Sequence, residues 1–191
     1  MRISAGEFKG RKIGGKKLFA KKAGGDDLRP TSAKVREAIF DILRGAIDGA
    51  SFLDLYAGTG TVGIEAASRG ACRIVFVESV RSRATAIQTV IENIGLSSKA
   101  VVHAEHADMF LKRISRSGEC FDIIFVDPPY ASGEIGNILL LIDEYGIVNG
   151  QGTVLCEHTK KLKLPEAAGD LKLKKQYKYG DTMLGLYRKE T

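Results

Sequence analysis

Five short apolar runs alternate with stretches of helical period, and this alternation limits the possible folds more than any other feature of the chain. The runs are FLDLY at 52–56, RIVFVE at 73–78, AVVHA at 100–104, DIIFVD at 122–127 and TVLCEH at 153–158. Between them, residues 61–69, 81–94, 107–115 and 134–145 read as helices. Apolar strands separated by helices predict a parallel sheet covered on both faces. Ahead of the first run, Val35, Ala38, Ile39, Ile42, Leu43 and Ala46 recur at helical spacing behind Pro30 and Thr31. They predict an amphipathic helix over 31–47. The tail differs: residues 171–181 and 182–189 read as two strands turning at Gly180-Asp181, an antiparallel pair at one edge.

A chain of 191 residues with 44% hydrophobic content is long enough for one domain with its own core. Its longest apolar runs, such as ILLLI at 138–142, fall far short of the roughly 18 residues a membrane helix needs. The start MRISAGEFKGRK has charge but no apolar core of a secretory signal. Cys72, Cys120 and Cys156 are odd in number and widely spaced, which suits a reduced, cytoplasmic protein. Residues 1–36 hold eleven Lys/Arg against three acids, +8 in a chain of net charge +6. A near-neutral body with a basic arm over 1–30, drawn as a hairpin or a loose segment, is expected to dock on a polyanion such as RNA. The plainer alternative is a solubilising tail.

The first run leads into DLYAGTGTVG. Gly58, Gly60 and Gly63 satisfy G-x-G-x-x-G, and Glu78 ends the next strand twenty residues on. This matches a dinucleotide fingerprint, with glycines for close backbone approach and an acid for ribose hydroxyls. Asp54, just before the loop, argues against a pyrophosphate, because a carboxylate there repels phosphate and favours a cation. A ligand with an adenosine ribose and a positive, amino-acid-like end suits both acids, and S-adenosylmethionine is such a ligand. Asp54 would face the ammonium side and Glu78 the ribose diol. Asp108, with Met109 beside it, would reach the adenine amine or cap a helix.

In DIIFVDPPY, Asp127 falls at the carboxyl end of a strand, where open α/β sheets bind ligands. An exocyclic base amine is a poor nucleophile because its lone pair is delocalised into the ring. Two acceptors on its two N–H groups would hold it and favour a tetrahedral nitrogen. Ionised Asp127 only accepts, and the Pro128 carbonyl is a second acceptor. Pro128 and Pro129 offer no competing backbone donor. Tyr130 presents a ring on which an extruded base can stack. The expected chemistry is positioning and local polarity rather than strong general-base catalysis.

RISAGEFKGRKI, LRPTSAKVREAIFDIL, FLDLYAGTGTVGIEAASRGA, DIIFVDPPY, CEH and YGDTMLGLY resemble, in that order, the RsmD family of class I, Rossmann-like methyltransferases. The resemblance spans nearly the whole chain. It implies a seven-stranded, mostly parallel sheet with an antiparallel C-terminal edge, with the methyltransferase domain over 31–191. It implies S-adenosylmethionine as donor and the N2 amine of a guanine in 16S rRNA as acceptor, met during small-subunit assembly. Asp54, Gly58, Gly60, Glu78 and Asp108 match donor-binding positions, and Asp127, Pro128 and Tyr130 the catalytic clamp. Arg29, Thr31 and Arg36 lie in RPTS-x-x-x-R, near the cofactor mouth or the RNA; capping and surface charge would explain them as well. Ala33 stands where the family usually has an acid, and the segment after Tyr130 matches only loosely.

Lys9, Arg11, Lys12, Lys16 and Lys17 are the expected RNA contacts of the arm. A monomer with no metal is expected, since His103, His106, Cys156 and His158 lack close ligand clustering. Tyr177 and Tyr179, among Lys174, Lys175 and Lys178, would contact RNA or alternate across an edge strand. The competing functions are an amino methyltransferase acting on adenine N6, a nucleotide-binding oxidoreductase, and a catalytically silent RNA binder.

Overall fold

The computed structural model describes residues 2–13, 31–129 and 134–190. The elements alternate as the apolar runs require. They are α1 (Ala33–Ile42), β1 (Ser51–Asp54), α2 (Thr61–Ser68), β2 (Arg73–Val77), α3 (Arg81–Asn93), β3 (Ala100–His103), α4 (Ala107–Ile114), β4 (Phe121–Val126), α5 (Ile135–Glu144), β5 (Val148–Thr159), β6 (Ala167–Ala168), β7 (Leu171–Tyr179) and β8 (Thr182–Lys189). The described strands form one sheet in the order β3-β2-β1-β4-β5-β8-β7-β6. Strands β1 to β5 run parallel, and β8, β7 and β6 are antiparallel. This is the expected sheet with one addition, the two-residue β6 pairing with the start of β7.

Each central strand is apolar on both faces because helices cover both. Phe52, Ile74, Phe76, Ile123, Phe125 and Leu155 face a core shared with α1, α2 and α3. Their neighbours Leu53, Val75, Val77, Ile124, Val126, Val154 and Cys156 face the α4–α5 core. The period of two thus assigns every strand residue to one core or the other. Helix α1 is shorter than its 31–47 pattern predicts. Ser32 caps it, accepting from the Val35 amide at 3.2 Å. It stops at Ile42, where a turn through Gly45 sends Ile47 back onto the core.

The described part of the basic arm is a tight loop closed by an Arg2–Lys12 bridge. It docks through Ile3, Phe8 and Ile13, all buried. Its polar anchor is Glu65 in α2, fully buried, which accepts from the Ser4 amide and hydroxyl and the Ala5 amide. Lys16, Lys17 and Arg29 lie outside the described residues, as does Tyr130. No helix among the described residues is long and apolar enough to cross a membrane.

Candidate active site

The chain winds β1, β2, β3 outward in one direction and then crosses back to place β4 on the other side of β1. The sheet's switch point therefore lies between β1 and β4, where a doubly wound fold leaves a crevice at the carboxyl ends. Asp54 closes β1 and Asp127 follows β4 at that crevice. The alternation of the strands puts Asp54, Glu78, Asp127 and Glu157 on one face, that of Phe52, Phe76, Phe125 and Leu155. Four acids from four adjacent strands thus converge on one end of one sheet face.

The glycine loop has a local cause for each part. Gly60 precedes α2 with φ 69°, a left-handed conformation that a side chain would strain. Gly63 lies against β2, and a Cβ there would collide with the Phe76 ring. The glycine pattern is therefore partly a packing requirement between α2 and the sheet. Glu78 spans the loop base: one oxygen accepts from the Gly58 amide at 2.8 Å, the other from the Val80 amide at 2.8 Å. Each oxygen keeps a further lone pair for a ligand hydroxyl.

Asp54 is 1% exposed and accepts from the Gly63 amide at 3.0 Å. Burial pushes its carboxyl up to about 7; the Gly63 amide lowers it, and the nearby Glu78 raises it further. Asp127 is half-buried, with Pro128 buried and Pro129 exposed beside it. Burial also holds Asp127 well above the ordinary carboxylate range, and the charges of Glu157 and Asp54 add to the effect. Glu157 follows Cys156, which pairs with Val126, so Glu157 stands next to Asp127 across the strand pair. It is 3% exposed. Carboxyls raised by burial and by one another suit a cationic ligand and oppose an anionic one. A sulfonium-and-ammonium ligand fits this donor set; a pyrophosphate does not.

Asp108 is exposed in the first turn of α4, where the helix N-terminus favours a negative charge. The N-cap position itself belongs to His106. Met109, also on α4, is 57% exposed. Tyr56 joins this corner: its hydroxyl lies 3.5 Å from Glu134 at the start of α5. Burial raises the Tyr56 hydroxyl, and Glu134 and Asp108 raise it further.

Glu157, Tyr56 and Glu134 were not expected from the sequence. In the CEH segment only Cys156 and His158 are weighed from sequence, and they are set aside as metal ligands; the residue facing Asp127 is the one between them. Cys156 points into the α4–α5 core instead. His158 is buried with its Nδ1 against the Thr159 carbonyl at 3.0 Å.

Arg36 is a correction. Expected near the cofactor mouth or the RNA, it is 2% exposed and so offers RNA no surface. Its guanidinium lies 3.4 Å from Glu65 and donates to the Arg2 carbonyl at 3.2 Å. It joins α1, α2 and the arm, because a buried acid in α2 requires a buried cation nearby. Thr31 is half-buried just ahead of the α1 cap. Lys9, Arg11 and Lys12 are exposed, but toward the far end of α2. Phe8 is held by Ser68 and Arg11 reaches the Ile94 carbonyl past α3. The described arm thus sits away from the glycine loop, which opens the other end of α2.

Comparison with known proteins agrees with the fold. The family model described as "Conserved hypothetical protein 95" matches residues 1–188. YlbH of Bacillus subtilis (strain 168) is 34% identical, with 99% of each chain covered. Ribosomal RNA small subunit methyltransferase D of Escherichia coli (strain K12) is 29% identical over 100% of this chain and 90% of its own length. The solved structure of yhhF from Escherichia coli superposes with a TM-score of 0.83 at 28% identity, covering 100% of this chain and 98% of that one. A class I α/β sheet, an acidic crevice at its switch point and a family match over almost every residue lead to one conclusion: this chain belongs to the RsmD family of methyltransferases.

Proposed function

We propose that the protein transfers a methyl group from S-adenosylmethionine to the exocyclic N2 amine of a guanine in 16S rRNA, during assembly of the small ribosomal subunit. The observation that carries this reading is the acidic row Asp54, Glu78, Asp127, Glu157 around the D-P-P turn. The family supplies the expectation of rRNA as acceptor, which matches the name of the Escherichia coli relative, ribosomal RNA small subunit methyltransferase D.

The donor supplies an electrophilic methyl on a sulfonium. Glu78, held open toward ligand by the Gly58 and Val80 amides, accepts from the ribose hydroxyls. Asp54 balances the positive amino-acid end. Asp108 and Met109 edge the adenine. Asp127 and the Pro128 carbonyl accept the two N–H bonds of the base amine and fix its lone pair toward the methyl. The new N–C bond would form as the donor's S–CH3 bond breaks, its electron pair leaving with the sulfur as a neutral thioether; the nitrogen would lose one proton, for which Asp127 is the acceptor already bonded to it. By the family motifs, Tyr130 would stack on the extruded base and Arg29 and Thr31 would lie near its path; of these only Thr31 is among the described residues.

The test is methyl transfer from labelled donor to small subunits, and separately to naked rRNA, from cells lacking the enzyme. Nucleosides are then identified by mass spectrometry. The expected product is N2-methylguanosine, lost by at least about a hundredfold in Asp127→Ala, consistent with removal of a charge-stabilising acceptor. Methyladenosine would overturn the base assignment.

A further inference from the structure

The positive charge of the chain lies at both ends. Residues 159–191 hold nine Lys/Arg against four acids, beside the +8 of residues 1–36, and the segment between them is −7. The described arm carries its charge to the far end of α2. The C-terminal strands do the opposite. Thr159 pairs with Thr182, and Thr182 with Tyr179, so the β7–β8 turn stands at the carboxyl edge of the sheet with Asp127.

The pairing also fixes the face. Glu157 lies opposite Leu184, and Leu184 opposite Tyr177. Directly opposed residues share a face, so Tyr177 stands on the face that carries Glu157 and Asp127. Tyr179 follows two residues on, at the rim. Both rings are half-buried against the α1–α3 core. Lys175 is exposed, and its ammonium sits 4.9 Å from the centre of the Tyr177 ring. At the rim, Lys160 bonds Asp181, and Lys161 is exposed beside it. Lysines alone would be explained as protection of an edge strand against pairing. Two partly exposed tyrosines at the ligand edge, one with a lysine ammonium over its ring, are not needed for that purpose.

We propose that Tyr177 and Tyr179, with Lys175 beside them and Lys160 and Lys161 at the rim, form a stacking ledge for single-stranded RNA flanking the target nucleotide. The inference rests on the reading that the acceptor is RNA. Three strand spacings separate β4 from β7, about 14 Å at ~4.8 Å each. That distance is about four nucleotides of stacked strand at ~3.4 Å of rise, and fewer if the strand is extended. Rings that stack on any base, with cations on the phosphates, hold a strand without reading its sequence. The clamp can then take one extruded base while its neighbours remain anchored.

The test uses the full chain saturated with S-adenosylhomocysteine, so that binding is separated from transfer. Labelled oligoadenylate is titrated against wild type, Tyr177→Leu/Tyr179→Leu and Lys175→Gln. Leucine retains the apolar contact with the core, and urea melts confirm that each variant is folded. The double variant is expected to weaken binding about tenfold or more. Lys175→Gln is expected to reduce the slope of log Kd against log salt by about 0.7. Wild-type binding to an equivalent duplex should be weaker. Binding within twofold of wild type in the double variant, or equal affinity for the duplex, would overturn the ledge. The two readings fail separately. If wild type makes no N2-methylguanosine in small subunits but oligoadenylate binding depends on the tyrosines, the target assignment falls and the ledge stands. If N2-methylguanosine forms with an unchanged KM in the double variant, the ledge alone falls.

Discussion

Asp54 shows how a single residue can link donor binding to pH. A carboxyl pushed up to about 7 by burial is only partly ionised at neutral pH in the free protein. A cationic donor needs it ionised, so donor affinity should rise as pH increases through about 7 and then level off. Calorimetric titration of S-adenosylmethionine from pH 6 to 8.5 would read this, and Asp54→Asn should bind at least about tenfold more weakly with that pH dependence removed. Stability of the free protein should run the other way. A carboxyl with a raised folded pKa contributes stability that is complete below its unfolded value near 3.8 and lost as pH rises through about 7. The span is at most about 4 kcal/mol, at ~1.36 kcal/mol per unit. Wild type should therefore lose stability relative to Asp54→Asn between those limits in urea melts. If the two fall in parallel, Asp54 is ionised throughout and its burial has been offset by other groups.

At the scale of elements, Glu65 joins three segments that are far apart in sequence. It holds the arm through Ser4 and Ala5, α1 through Arg36 and its own helix through Arg69 at 3.0 Å. Burial alone would raise this carboxyl; the bonds from Ser4 and Arg69 outweigh burial and hold it below the usual range. Its stabilisation is therefore present above the unfolded carboxyl pKa and lost as pH falls through the folded one. Glu65→Ala would leave Arg36 buried without that partner, at a cost of about 3–5 kcal/mol. Urea denaturation should show it, and hydrogen exchange at the Ser4, Ala5 and Phe8 amides should rise first. Arg36→Met added to Glu65→Gln should cost less than the two single changes summed. This cluster also marks where the sequence stopped being readable. The alternation of apolar runs identified the five parallel strands, because period two and period 3.6 are local properties of the chain. Asp54, Glu78 and Asp127 were legible because each ends a strand, and strand ends meet at the switch point. Arg36 and Glu157 were not. Their environments depend on which distant strand or helix lies alongside, and nothing within a few residues of either encodes that partner. Glu65, an acid within the apolar helix TVGIEAAS, was the one local sign that a buried cation had to come from elsewhere.

Over the whole molecule, net charge is divided along the chain. The middle of the chain, which builds the crevice, is −7, and both ends are strongly basic. A polyanion is thus attracted to the periphery and repelled from the floor of the site, where only an extruded base and a cationic donor are welcome. The two basic regions should act at different lengths of RNA. The C-terminal strands lie at the carboxyl edge and would meet nucleotides next to the target. Lys9, Arg11 and Lys12 lie past the eight-residue helix α2 from the glycine loop, about 12 Å of helix away at ~1.5 Å per residue. Neutralising Lys9, Arg11, Lys12, Lys16 and Lys17 together should therefore raise KM for small subunits and lower the salt slope by up to about 4.5, at ~0.9 per phosphate contact. The same variant should bind a four-nucleotide oligoadenylate, which spans from the crevice toward β7 and so away from α2, nearly as well as wild type. Filter binding across a salt series on both ligands would separate the cases. A loss of equal size on both would mean that the arm folds back over the crevice, and no loss on either would make it a solubilising tail.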